Sequence, residues 1–203
     1  MSFLYETHLH TCQGSACGTS TGKEHARYYK EIGYQGIIVT DHFFGGNTAV
    51  PRNLPWKERV EWFCSGYEDA LAEGQRIGLD VFFGLEECFA RYDGGHDEYL
   101  IYGVDKEWLI AHPEIKDASI SEQYRLIHEA GGMVIQAHPF RKEDYIPEIR
   151  LFPDDVDGAE GINATHSSHL SKSHNDPEFD TLAIAYAREH QLPMTAGSDT
   201  HST

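Results

Sequence analysis

Two short motifs near the ends of the sequence each place two metal-binding side chains two residues apart. The first contains His8 and His10, and the second contains Asp199 and His201. Side chains two residues apart on a β-strand point to the same side, so each pair presents two donor groups to one point. Imidazole and carboxylate groups that converge in this way are typical ligands of divalent metal ions.

Segments that predict β-strands alternate along the chain with segments that predict helices. We predict strands over residues 2–5, 36–40, 79–86, 99–103, 133–137, 157–162 and 192–196. We predict helices over residues 22–32, 56–77, 119–130 and 177–189, where apolar side chains recur at helical spacing. This alternation is typical of an α/β fold with a parallel sheet, either a barrel or a doubly wound sheet.

The positions of the polar side chains favour the barrel. Residues of metal-ligand type occur at or just past the ends of five predicted strands: His8, His10, His42, Glu86, His138, Asp199 and His201. The C-terminal rim of a β/α barrel brings such strand ends to one shared mouth. We therefore predict a TIM-like β/α barrel with a metal cluster at its mouth.

Composition narrows the class of protein. The chain has 203 residues and a formal net charge of −17, and we expect a single domain over residues 1–203. The negative charge argues against a protein that holds a nucleic-acid backbone, which requires spread Lys and Arg. No apolar run is long enough to cross a bilayer, and the first residues lack the pattern of a signal peptide. We expect a cytoplasmic protein without nucleic-acid or membrane partners.

The four cysteines lack the C-x-x-C spacing of zinc sites and are predicted to be free thiols. Cys64 and Cys88 are expected in the core. Cys12 and Cys17 follow the first histidine pair, which leaves two interpretations: small loop residues, or groups near a metal.

Taken together, the motifs resemble those of the PHP family, named for polymerase and histidinol phosphatase. The resemblance runs from His8 to His201. It is carried by His-Leu-His-Thr at 8–11, Thr-Asp-His at 40–42, Gly-Leu-Glu at 84–86, Ala-His-Pro-Phe at 137–140 and Gly-Ser-Asp-Thr-His at 197–201. It implies a distorted seven-stranded β/α barrel with two or three divalent metals that hydrolyses phosphate esters. It also implies further chain beyond His201, so we expect a C-terminal segment outside this sequence.

The resemblance implies how the metal ligands are shared. One metal would be held by His8, His10, Glu86 and Asp199. A second would share Glu86 and take His138, and a third would use His42 and His201. On this basis catalysis is expected to require Glu86 as the bridge, together with Asp199.

The sequence departs from the family pattern at the third metal. Relatives place an acidic residue or a histidine shortly after the His-x-His, where this chain offers only Gln13, Ser15 and the cysteines Cys12 and Cys17. We take Gln13, the nearest amide, as the first candidate. Its neutral oxygen would make the third metal the most weakly held.

The remaining ligand of the second metal is open between His96 and Glu98, which lie two residues apart. We favour Glu98. Glu87 should point to the opposite side of its strand from Glu86. It is predicted to be a surface carboxylate or a support for the ligands.

The ligand types indicate the chemistry. Mixed imidazole and carboxylate ligation suits Zn, Mn or Fe and does not choose among them. A water shared by two such ions is acidified, and the ions bind the oxygens of the phosphoryl group that it attacks. We therefore expect the metal-dependent hydrolysis of a phosphate ester on a small molecule by a metal-bridged hydroxide.

Other residues are candidates for substrate contacts. Arg141 is predicted to clamp the phosphate in a bidentate manner, and Arg91 is a second candidate. His166 and His169 are candidates for protonating the leaving oxygen. The histidines inside or beside predicted helices are expected on the surface: His25, His112, His128 and His190.

Three other functions are open. A metal-dependent amidohydrolase also has an early His-x-His, but it usually adds a lysine at a strand end, which this sequence lacks. A 3′-to-5′ exonuclease of the polymerase-associated kind would need a basic groove, which the net charge does not favour. A non-catalytic metal-binding regulatory domain would be expected to have lost several ligands.

Overall fold

The computed structural model describes residues 3–88, 96–171 and 174–203. The strands are β1 (Tyr5–Leu9), β2 (Gly36–Val39), β3 (His42–Phe43), β4 (Asp80–Cys88), β5 (Glu98–Tyr102), β6 (Met133–Gln136), β7 (Gly158–Asn163) and β8 (Met194–Gly197). The α-helices are α1 (Gly22–Glu31), α2 (Trp56–Phe63), α3 (Ser65–Ile77), α4 (Lys106–Ala111), α5 (Ile120–Glu129) and α6 (Glu178–Glu189). Across the described ranges, every helix is too short or too polar to cross a bilayer.

Seven strands follow one another around a distorted barrel in the order β1, β2, β4, β5, β6, β7 and β8, and the short β3 pairs with β4. Between β8 and β1 the described residues form an isolated bridge, in which the His10 amide donates to the Thr200 carbonyl at 2.9 Å. The barrel is therefore nearly closed, with one seam that lacks a continuous ladder. The predicted TIM-like barrel is confirmed.

One strand runs against the others. β5 is antiparallel to both β4 and β6, whereas the other paired strands of the barrel are parallel. Because β5 is reversed, its first residue, Glu98, lies at the end of the barrel where the parallel strands finish. This places Glu98 at the mouth although it begins its strand rather than ending it.

The predicted helix over residues 56–77 is two helices that meet at Cys64. The break allows the start of α3 to pack closely against the loop after β1. A Cβ atom at Gly66 would lie 2.1 Å from Thr11 Oγ1, so only glycine permits this approach. The apolar residues keep their helical spacing through Cys64, so the sequence pattern gives no sign of the break between the two helices.

Apolar side chains fill the space between the sheet and its helices. One core group includes Phe43, Leu85 and Ile127, and a second includes Leu9 and Ile37. Cys64 and Cys88 are buried, as predicted, and all four cysteines are free thiols.

Glu87 is buried, so the prediction of a surface carboxylate is wrong. It is 1% exposed on the outer face of β4, a face that α5 covers with the fully buried Gln123. Neither oxygen of Glu87 has a hydrogen-bond partner within the described part of the chain. Burial raises the pKa of Glu87 well above its usual value, and the nearby Gln123 amide only partly opposes this. Glu87 is therefore protonated in the folded protein.

We expect Glu87→Gln to stabilise the protein increasingly as the pH rises. Above the unfolded pKa of about 4.3, the unfolded chain releases the Glu87 proton while the folded chain keeps it. The unfolding free energy of wild type should therefore fall by up to about 1.4 kcal/mol per pH unit from this group, until its raised folded pKa is reached. Gln cannot ionise, so the variant escapes this loss.

Urea unfolding of both proteins between about pH 5 and pH 8 measures this difference. Glu31→Gln, at an exposed position on α1, is the control and should leave the pH dependence of stability unchanged. A difference between Glu87→Gln and wild type that does not vary with pH would contradict the assignment.

Candidate metal centre

The structure brings all the predicted metal ligands together at the mouth of the barrel. They are His8, His10, His42, Glu86, His138, Asp199 and His201. His201 is half-buried, and each of the other six is at most 8% exposed. The residues come from five separate parts of the chain, so the fold alone creates this cluster.

The first group of donor atoms has the spacing of ligands around one cation. His8 Nε2 lies 3.1 Å from His10 Nε2, and His10 Nε2 lies 3.2 Å from Asp199 Oδ1 and 3.3 Å from Glu86 Oε2. Ligands about 2.0–2.1 Å from a metal at octahedral or tetrahedral angles are separated by roughly 2.9–3.4 Å. The four side chains therefore fit a shared divalent ion.

Glu86 also faces a second group. Its Oε1 atom lies 3.1 Å from His138 Nε2, which lies 3.6 Å from Glu98 Oε2. His42 Nδ1 lies 2.9 Å from Glu86 Oε2. Among the described residues, however, neither of these two buried atoms has a partner in hydrogen-bonding geometry. Two donors that converge without bonding to each other fit a cation between them, and the shared carboxylate fits a bridge.

The two residues that were open for the second metal lie in different places. Glu98 Oε2 faces His138, whereas His96 lies farther out, with Nε2 3.6 Å from Glu98 Oε1 and Nδ1 3.6 Å from Cys88 Sγ. The geometry thus favours Glu98 as the ligand and makes His96 a neighbour of Glu98.

Burial and neighbouring charges set the pKa values of the ionisable groups at this site. Burial opposes ionisation of Glu86, but His42 and His8 hold its pKa well below the usual value. Burial likewise opposes ionisation of Asp199, while His8 and Arg141 hold its pKa well below the usual value. Burial and the neighbouring His42 lower the pKa of His10 to about 3, so this ring is neutral and offers a lone pair.

Glu160 is a functional residue that the sequence analysis missed. It is 1% exposed on β7 and accepts hydrogen bonds from His8 Nδ1 at 2.9 Å, from the His138 amide at 3.0 Å and from Asn163 Nδ2 at 3.0 Å. With its Nδ1 proton donated to Glu160, His8 directs the lone pair of Nε2 into the site. The available signal was a charged residue among the glycine, alanine and isoleucine residues that precede Asn163 in this strand.

A second support lies behind His10. Its Nδ1 atom bonds Ser15 Oγ at 3.0 Å, and Ser15 Oγ donates to Asp41 Oδ1 at 2.7 Å. Asp41 also accepts from the Thr11 amide and the Thr11 hydroxyl, both at 2.6 Å. Ser15 is thus occupied in orienting His10 and does not provide a ligand for the third metal.

His25 corrects a prediction. It is fully buried, and its Nε2 atom donates to the His10 carbonyl at 3.1 Å, because the face of α1 that carries it packs against β1. The expectation of a surface histidine is therefore wrong for His25. His128 and His190 are exposed and His112 is partly exposed, which agrees with their prediction.

Gln13 does not lie at the metal centre, which corrects the first candidate for the third metal. Its amide donates to Asp69 Oδ2 at 3.1 Å, and its carbonyl accepts from the Gly22 amide at 3.2 Å, so it ties the loop to the start of α1. Cys12 Sγ lies against the Gln13 carbonyl at 3.7 Å.

Cys17, in contrast, borders the mouth. Its side chain lines the same cavity as His201 and His42. Burial alone would raise the pKa of Cys17, but these two rings lower it to about 7.

Arg141 forms one wall of the site. It is 5% exposed, and its guanidinium donates to Asp199 Oδ2 at 2.6 Å and to Thr165 Oγ1 at 3.3 Å. His166 Nε2 lies 3.4 Å from Arg141 Nε, while His166 Nδ1 bonds Asp180 Oδ1 at 2.6 Å. His166 therefore holds Arg141 from behind rather than facing the mouth.

Two other candidates for substrate contacts do not gain support. His169 is exposed and does not line the mouth. Arg91 lies outside the described residues. Among the described residues suggested for substrate contacts, Arg141 is therefore the one that lines the cavity beside the metal-ligand candidates.

A cavity of about 530 Å³ opens above the cluster. Besides the ligand candidates, Asn47, Tyr145, Thr165 and His174 line it. Within the described chain, no lysine borders this cavity. Its size suits a small molecule, and its polar floor is the ligand cluster.

Solved structures share this fold. A protein from Bifidobacterium adolescentis named as a metal-dependent phosphoesterase matches with a TM-score of 0.65 and 16% identity, over 99% of this chain and 88% of its own. An amidohydrolase from Chromobacterium violaceum, with bound sulfate and no metal, matches with a TM-score of 0.66 and 16% identity, over 98% and 87%. A two-domain protein from Bacteroides vulgatus, which contains a predicted PHP-like metal-dependent phosphoesterase, matches with a TM-score of 0.62 and 14% identity, over 98% and 52%.

At these identities the likeness establishes the fold, which agrees with the barrel implied by the PHP resemblance. The chain spans about half the length of the two-domain protein. Comparison with protein-family models and with curated protein sequences gives no match.

We expect Glu160→Gln to weaken metal binding by about 10- to 100-fold, the usual cost of losing a group that orients a ligand. Gln can still accept from His8, but it lacks the charge that fixes the ring and cannot accept from the His138 amide as well. The melting temperature in titrations of zinc or manganese chloride measures the effect, because a ligand stabilises the folded state in proportion to its occupancy.

Glu87→Gln is the matched control, since it also removes a buried carboxyl group but one on the outer face of β4. Its metal dependence should equal that of wild type. An unchanged titration midpoint in Glu160→Gln would show that this carboxylate does not support the metal centre.

Proposed function

We propose that the chain is a metal-dependent phosphoesterase of the PHP family that hydrolyses a phosphate ester on a small molecule. The observation that carries this proposal is the position of Glu86 between the histidines. Its Oε1 atom faces His8 and His138, and its Oε2 atom faces His10 and His42. The fold shared with proteins named as metal-dependent phosphoesterases supports it.

The cofactors proposed are two or three divalent ions, for which Zn, Mn and Fe suit the mixed ligands. When bound, such ions supply an acidified water that they share and neutralise charge on the phosphoryl group. His8, His10, Glu86 and Asp199 would hold one ion. Glu86, His138 and Glu98 would hold a second.

Arg141 is proposed to bind the phosphoryl oxygens. Its fork is already held in place by Asp199, Thr165 and His166, so little freedom is lost when a substrate binds. Within the described residues, Arg141 is the sole Lys or Arg that lines the cavity. The formal net charge of −17 disfavours an exonuclease, which would have to bind an extended nucleic-acid backbone.

A metal-dependent amidohydrolase is the second candidate, because one structure with this fold is named an amidohydrolase. The buried Arg141 beside Asp199 favours the phosphoesterase. We further propose that the protein acts in the cytoplasm, where its four free thiols would stay reduced.

The test compares Glu86→Gln with Glu87→Gln on the metal-loaded protein. The two residues are neighbours on β4 and point to opposite faces, so each variant removes one buried carboxyl group. A panel of phosphomonoesters, with amide and lactone substrates beside it, measures hydrolysis, and elemental analysis measures the bound metal. We expect Glu86→Gln to lose metal and several orders of magnitude in kcat/KM, while Glu87→Gln retains both.

Three results would contradict the proposal. They are hydrolysis of amides in preference to phosphate esters, absence of metal from wild type, and normal turnover by Glu86→Gln with its metal retained.

Arg141→Lys tests the phosphate contact separately. Lysine keeps the charge but loses the fork, so we expect kcat/KM to fall about 10- to 150-fold, corresponding to about 1.5–3 kcal/mol for a charge-assisted hydrogen bond. Metal content should stay at the wild-type level. Unchanged kcat/KM in this variant would place the phosphate elsewhere.

A further inference from the structure

Neither histidine suggested by the sequence for protonating the leaving oxygen faces the mouth. His166 holds Arg141 from behind, and His169 is exposed outside the cavity. Hydrolysis of a phosphate ester releases an alcohol, whose oxygen needs a proton as its bond to phosphorus breaks. Histidine is the side chain that most often supplies such a proton in enzymes.

One histidine at the cavity is left over by the proposed metal centre. The histidines of the described chain that line the cavity are His42, His96, His138, His174 and His201. Three of them are candidate metal ligands. Both ring nitrogens of His96 have a neighbour, since Nδ1 lies 3.6 Å from Cys88 Sγ and Nε2 lies 3.6 Å from Glu98 Oε1. His174 remains available for contact with a substrate.

Glu143 holds the ring of His174 in one orientation. Its Oε1 atom accepts from His174 Nδ1 at 2.5 Å and from the His174 amide at 3.1 Å. Within the described chain, His174 Nε2 makes no hydrogen bond, so this nitrogen is the one that can exchange a proton with a substrate. A carboxylate that binds one ring nitrogen fixes the ring for proton transfer at the other.

The backbone of His174 is also fixed. Its φ angle is 64°, in the left-handed region that residues other than glycine seldom adopt. Such a conformation persists where surrounding contacts hold it. Here the Asp176 amide donates to the His174 carbonyl at 3.0 Å, on the opposite side from the bonds to Glu143. The pair of Glu143 and His174 thus joins the loops that follow β6 and β7.

Arg141 connects His174 to the proposed phosphate position. Burial and the positive charge of Arg141 lower the pKa of His174, while Glu143 and Asp199 oppose this effect. A phosphate bound to Arg141 would offset that positive charge and bring negative oxygens into the cavity that His174 lines. The pKa of His174 should therefore rise when phosphate binds, so that the ring takes up a proton.

We propose that His174, oriented by Glu143, is the catalytic acid that protonates the leaving oxygen of the ester. This inference rests on the proposed function and adds a residue to it. As a hydroxide attacks phosphorus, the bond from phosphorus to the leaving oxygen breaks and its electron pair stays on that oxygen. The oxygen takes the Nε2 proton of His174 and departs as an alcohol. The neutral ring then regains a proton from solvent, into which the attacking water had released one.

The test compares two aryl phosphates whose leaving groups differ in their need for a proton. Phenyl phosphate releases a more basic oxygen than p-nitrophenyl phosphate does. Asparagine can keep the hydrogen bond to Glu143 but cannot deliver a proton. We therefore expect His174→Asn to lower kcat/KM about 100-fold or more for phenyl phosphate, which is a usual contribution of a general acid. The loss should be much smaller for p-nitrophenyl phosphate.

His169→Asn is the matched control, since it removes an exposed histidine from the same loop outside the cavity. Its kcat/KM should equal that of wild type for both esters. Glu143→Gln should show the same dependence on the leaving group as His174→Asn, but more weakly, because the acid remains while its orienting charge is lost. Elemental analysis should find the wild-type metal content in all three variants.

Wild-type protein gives a measurement that does not depend on how the variants fold. Titration of the zinc-loaded protein by NMR follows the histidine ring signals as the pH changes, with inorganic phosphate as the probe. The pKa of His174 should rise when phosphate is added, while that of His169 should stay the same.

The outcomes separate this inference from the proposed function. If wild type hydrolyses no phosphate ester, both fail. If it does, the His174 inference alone is overturned by equal losses for the two aryl esters, by loss of metal in His174→Asn, or by an unchanged pKa of His174 when phosphate is added.

Discussion

The structure depends on buried negative charge at the mouth of the barrel that needs cations to balance it. Glu86 and Asp199 are at most 4% exposed, and Glu160 stands directly behind them. His10, whose pKa is lowered to about 3, is neutral and lies within 3.3 Å of both ligand carboxylates, so it does not balance their charge. Such a site couples metal binding to the stability of the whole barrel, because each strand around the mouth contributes a ligand or a support.

The backbone at two ligands shows how tightly the site is held. His138 and Asp199 have φ angles of 28° and 52°, in the left-handed region that residues other than glycine avoid. Each such residue costs about 1–3 kcal/mol and persists where surrounding contacts fix it. Here Glu160 accepts from the His138 amide, while Arg141 and Asn163 donate to Asp199. The strained backbone conformations thus occur at two candidate metal ligands, whose side chains are held in place before a metal binds.

Much of the site could be predicted from the sequence because alternation along a strand is a local property. His8 in β1 and His10 just after it point to the same side, and Glu86 and Glu87 take opposite faces of β4, since side chains alternate wherever the chain is extended. The placement of ligands at strand ends was likewise sufficient to predict a barrel. Most strand and helix segments predicted from the pattern agree with the structure. The exceptions are the first strand, which runs over Tyr5–Leu9 and not over residues 2–5, the short β3, the break at Cys64 and the short helices after residue 103.

What only the tertiary structure decided concerns partners that are distant in sequence. The burial of Glu87 depends on α5, and that of His25 depends on the packing of α1 against β1. Glu160 became a support because β7 lies beside the strand that ends at His138. Gln13 and Cys17 are alike as loop residues, and backbone hydrogen bonds to distant segments decide which one faces the metal centre. The sequence by itself therefore determined the ligand types and the barrel, because both follow from local spacing. The contacts that orient those ligands arise only when the strands close around them.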